Sequence, residues 1–154
     1  MTLKTPRPVL ERPRVRIGLG LTAFGFLTFL LGADPGLIGY NRSPATGYLQ
    51  ILVFLFGLLI ICLGGYIALV GLWNGYQKTI IADIGLRLVA TGYVVAVGSG
   101  MADLVGFGSH VYPITPYFGP WQEGGVILGE IVIALGFLLL IPYRPPQLKR
   151  DAEL

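Results

Sequence analysis

A chain of 154 residues that is 54% apolar and only 12% charged, with a mean hydropathy of +0.73, lies far from a soluble domain, in which about 25% of residues carry charge. Its net charge of +3 does not mark a nucleic-acid binder, because the basic residues flank apolar segments instead of forming one patch. A single cysteine and a single histidine exclude an intrachain disulfide and a haem held by two histidines of this chain.

Residues 1–14 form a basic arm with Lys4, Arg7, Arg12 and Arg14 among three prolines, expected to be extended or to lie on anionic headgroups. The first apolar segment runs from Val15 to Leu31. About 20 helical residues cross a hydrocarbon core of about 30 Å, so this segment reads as a span. Leu31, at position −3 of a cut after Ala33, breaks the small-x-small pattern of a signal peptide. Gly18, Gly25 and Gly32 recur every seven residues, two helical turns, and make one smooth face. Asp34-Pro35-Gly36 predicts a turn. The sequon Asn41-Arg42-Ser43 precedes Pro44 close to the next span, where occupancy is not expected.

The second segment, Tyr48 to Trp73, sets Gly57, Gly64, Ala68, Gly71 and Gly75 on one face, with Trp73 and Tyr76 expected as interfacial anchors. The third, Ile80 to Val105, repeats the device with Gly85, Gly92, Ala96, Ser99 and Gly106. Phe107 to Trp121 is aromatic and proline-rich and holds the lone His110; it is expected to be a loop in the headgroup region. The fourth, Gly124 to Ile141, carries Gly125, Gly129 and Gly136, and residues 142–154 form a polar tail.

The second half echoes the first. Pro44, Gly47, Gln50, Gly57 and Gly64 return 72 residues later as Pro116, Gly119, Gln122, Gly129 and Gly136. Upstream, Ile17-Gly18-Leu19, Leu21, Ala23 and Gly25 return 67 residues later as Ile84-Gly85-Leu86, Leu88, Ala90 and Gly92. Fixed-spacing similarity of this kind is the mark of a repeat. The expected fold is therefore an all-α integral membrane protein of four transmembrane helices, a tandem duplication of a two-helix unit covering residues 15–73 and 80–141. The two units are expected to superpose by about a half-turn around the membrane normal. Basic residues gather in the arm, at Lys78 and at Arg144, Lys149 and Arg150, whereas the opposite side has only Arg42. That asymmetry places both termini in the cytoplasm, and a bacterial plasma membrane is the expected location.

Five polar residues inside or near the spans are candidate intramembrane contacts: Glu130, Arg87, Asp83, Gln50 and Gln122. Gln50 and Gln122 occupy equivalent places and are expected to bracket their hairpins. Asp83 and Arg87, one turn apart, can neutralise each other. Glu130 stands where the first unit has Leu58, and an ionisable residue in a span is a functional candidate by default. An extended Arg87 could reach toward it. No metal-ligand spacing, catalytic set, nucleotide loop or cofactor motif is present. Glycine faces let helix backbones approach closely in lipid; a groove for a lipid or pigment tail is the alternative. The expected function is non-enzymatic: an accessory or assembly subunit of a larger membrane complex, in contact with lipid and either a membrane-protein partner or further copies of itself. A small oligomeric carrier or channel is the alternative.

Overall fold

The computed structural model describes residues 12–34, 36, 39, 47–73, 76–103, 106 and 119–143. The arm before Arg12, the sequon, Gly75, residues 107–118 of the aromatic segment with His110, and the tail beyond Tyr143 lie outside these residues. Among the described residues the structure is all-helical: α1 (Pro13–Ala33), α2 (Tyr48–Leu72), α3 (Ile80–Gly100) and α4 (Pro120–Leu140). At 1.5 Å per residue they are about 31 to 38 Å long. All four are long and apolar enough to span a membrane.

Local chemistry sets the boundaries. Pro13 opens α1, where a missing N–H costs nothing. Asp34 closes it: its N–H donates to Leu30 O at 2.9 Å, and its Oδ1 accepts from Gly36 N at 2.8 Å. Thr79 caps α3 by accepting from Ala82 N at 3.2 Å. Two boundaries differ from the apolar segmentation by more than two residues. α3 stops at Gly100, short of Val105, because the chain turns over Met101 to Asp103, where Ala102 N donates to Ser99 O at 3.3 Å. α4 starts at Pro120, ahead of Gly124. Proline suits the first helical position, and Gln122 Oε1 accepts from Gly119 N at 2.9 Å, so Trp121 belongs to a helix and not to a loop.

α1 packs along α2, α3 packs along α4, and α2 makes the main contact between the two hairpins. Inside each hairpin the glycines set the separation. A Cβ on Gly92 would lie 2.6 Å from Gly129 O, and one on Gly129 would lie 2.6 Å from Gly92 O. Gly85 and Gly136 oppose each other in the same reciprocal way. In the first hairpin a Cβ on Gly64 would meet Gly18 O at 2.8 Å, and one on Gly25 would meet Ile61 N at 2.7 Å. Backbones this close gain dispersion contacts that larger residues would forbid.

The hairpins meet through side chains instead. Leu58 and Cys62 of α2 join Val89 and Ala96 of α3 and Ile133 of α4 in one buried cluster. At the end where α2 and α4 finish and α3 begins, here called the terminal end, Trp73 packs with Ala82 and Leu140. Its Nε1 donates to Leu140 O at 3.0 Å. Trp73 is only 5% exposed, which corrects its expected role as an interfacial anchor. The last carbonyls of a helix lack intrahelical donors, and the indole supplies one while covering apolar surface.

Candidate functional site

The terminal end collects positive charge: Arg12 Nη1 donates to Leu72 O at 3.3 Å, and Lys78 Nζ lies 5.4 Å from the centre of the Tyr66 ring. Asp83 and Arg87 also belong to α3 near this end. Arg87 Nη2 is 3.1 Å from Asp83 Oδ2, with the two side chains 80% and 54% exposed. The pair faces outward, so Arg87 places its charge on Asp83, and it does not line the cavity that holds Glu130. At the opposite end, where the connections inside each hairpin lie, Asp34, Asp103 and Glu123 bring acidic groups.

Between the hairpins, from the loop end to mid-span, lies a half-open cavity of about 300 Å³. Phe29 and Gly32 of α1, Gln50, Ile51 and Phe54 of α2, and Glu123, Val126, Ile127 and Glu130 of α4 line it. The helix ends explain the shape. Close packing at Gly32 and Phe54 holds the first hairpin tight, while the contacts tying α2 to α4 through Trp73 lie at the far end. α2 and α4 both start at the loop end, and helical side chains lean toward their helix N-terminus, so Gln50 and the two glutamates share one direction.

Glu130 lies ten residues from each end of α4 (Pro120–Leu140), about 15 Å from either. It is half-buried, whereas Glu123 is exposed. Among the described residues, the cavity wall thus holds two carboxylates, one amide and no basic side chain. Gln50 and Gln122, aligned by the sequence, have different surroundings: Gln122 is buried and closes the start of α4, while Gln50 borders the cavity. Glu123 is the functional candidate that sequence reading passed over. Its seven-residue spacing from Glu130 puts both on one helical face, and that spacing was the available signal. Among the described residues, no group of three or more histidine, cysteine or acidic side chains could hold a metal ion. No protein-family model, curated protein or solved structure matches the chain.

Proposed function

We propose that this chain is a non-enzymatic membrane protein acting as an accessory or assembly subunit, which receives a polar group of a neighbouring membrane protein in the cavity between its hairpins. The observation behind this is Glu130, a mid-span carboxylate on a cavity whose lining, among the described residues, contains no base. An ionised acid near the middle of a bilayer costs about 2.5 kcal/mol or more, and an opposite charge from outside the chain offsets that cost. The terminal end is the cytoplasmic side, supported by the basic groups there and the acidic ones opposite. The two hairpins descend from one duplicated unit. The sequence offsets support this: Gly25 meets Ile61 and Gly92 meets Ile133, while Gly64 meets Thr22 and Gly136 meets Val89.

A second reading, a small carrier, is favoured by one observation. Each hairpin is closed backbone to backbone, but the two are joined through side chains, by Trp73 at the terminal end and by Ile51 and Leu55 against Gly100 at the loop end, so the hairpins can part without separating the helices inside either one. Purification of the full chain and of Glu130→Leu in mild detergent, followed by native mass determination, separates the readings. A stoichiometric foreign protein that is lost with Glu130→Leu supports the subunit. A homo-oligomer that takes up solute supports the carrier. A monomer without partner or transport refutes both.

A further inference from the structure

Resting on the reading of this cavity as the place of contact, we infer that it is a binding site for an ammonium or guanidinium group carried on an apolar stem. Its volume of about 300 Å³ is at the small end of ligand pockets. That is too little for a helix of about 10 Å diameter, yet enough for one long side chain or a small amphiphile. The wall selects by charge. Glu123 and Glu130 repel anions, and a lipid tail would leave the Glu130 carboxylate and the Gln50 amide without polar partners. A bare metal ion fits poorly, because the two glutamates are seven residues apart on one helix, about 10 Å along its axis, and cannot share an ion.

An organic cation meets every part of the lining. Its charged head pairs with the Glu130 carboxylate at mid-span, after passing the Gln50 side-chain oxygen, which lies about 12 Å nearer the mouth and accepts from it only on entry. Its stem lies against Ile51 and Val126. Phe29 and Phe54 add ring faces, with centroids 4.7 Å apart and planes tilted by 39°, of the kind that attract cations. Glu123, exposed at the loop end, draws the cation toward the mouth. Two sources present this chemistry: a lysine or arginine of a neighbouring span, or a free lipophilic amine.

The test uses the full chain in phosphatidylcholine nanodiscs with labelled hexylammonium as the probe, hexanol as its neutral counterpart and empty discs as the blank. Saturable hexylammonium binding without saturable hexanol binding is expected. Glu130→Gln should weaken it about tenfold or more, the lower end of what a lost charge-assisted hydrogen bond costs. Glu123→Gln should act mainly on the association rate and its salt dependence. Unchanged Trp73 emission, read in a Trp121→Phe background, verifies that a variant is folded. If Glu130→Gln loses that emission, Glu130→Asp, which shortens the reach of the carboxylate into the cavity and should bind several-fold more weakly, takes its place. No saturable binding, equal binding of hexanol, or binding that is the same in the folded variants overturns the inference.

A co-purified protein displaced by excess hexylammonium identifies a neighbour's basic side chain as the source. Glu130-dependent amine uptake into proteoliposomes identifies a free amine. A partner that stays bound to Glu130→Gln, with amine binding also unchanged, removes the inference and leaves the subunit reading standing. Glu130-dependent amine binding with no partner protein removes the subunit reading and leaves the inference.

Discussion

Replacing Gly92 by alanine tests the packing of the second hairpin, with Gly98→Ala as its internal control. A Cβ at position 92 would lie 2.6 Å from Gly129 O and 2.9 Å from both Ile133 N and Cγ1. Two of those three atoms are backbone and cannot rotate away. A comfortable carbon–oxygen contact is about 3.3 Å, so α3 and α4 must separate by several tenths of an ångström; overpacking of this size costs about 1 to 3 kcal/mol. Gly98 lies on the same helix with nothing within 4 Å of a built Cβ. Alanine there should be neutral or stabilising by up to about 1 kcal/mol, through helix propensity. The contact is reciprocal, so one separation serves both sides: Gly129→Ala added to Gly92→Ala should cost clearly less than the sum of the single changes. Unfolding in mixed micelles titrated with sodium dodecyl sulfate and followed by tryptophan emission gives these differences. Equal costs at positions 92 and 98, or strict additivity of the double variant, would refute the reasoning.

Trp73→Phe should keep most of the buried ring contact but lose the donor to Leu140 O, at a cost of about 1 kcal/mol. Trp73→Ala should cost about 3 kcal/mol or more by opening a cavity between the hairpins, and equal losses for the two would show that the hydrogen bond dominates. Gln122→Leu should strand the buried Gly119 N–H and lower stability by about 1 to 3 kcal/mol. Gln122→Glu retains the acceptor and should keep most of that stability; faster hydrogen exchange at the Gly119 amide in the leucine variant alone is the direct readout.

Much of the helical framework was legible because glycine spacing reports helix faces without knowledge of the partner. Gly18, Gly25 and Gly32 are all buried against α2. Gly85 and Gly92 meet Gly136 and Gly129, so the faces read from α3 and α4 turned out to be each other's complement. The direction of Trp73 was not legible. An indole at a helix end satisfies its N–H equally well in headgroups or on a free carbonyl, and the deciding atom, Leu140 O, is 67 residues away. The start of α4 was legible in principle. Gly119-Pro120 followed by Gln122 is a helix-start pattern, but reading by apolarity passes over a first turn that contains Trp121, 90% exposed.

The candidate site resisted sequence reading for a related reason. Gln50 and Gln122 hold equivalent places in the pattern, yet a side chain of this kind can either close its own helix or look outward, and the backbone spacing is the same for both. Gln122 closes onto Gly119; Gln50 faces the cavity together with Phe54 and Glu130. Likewise, the step from Leu58 to Glu130 marks where the two halves part, but not what the new carboxylate sees. Leu58 lies in the buried cluster between the hairpins, whereas Glu130 faces a space bounded by α1, α2 and α4. One half therefore uses the position to bind the hairpins together, and the other to put a charge where they stand apart. Under the duplication proposed above, a functional difference between the two hairpins would reside in the few places where their polar residues diverge, and Glu130→Leu is the substitution that erases this one.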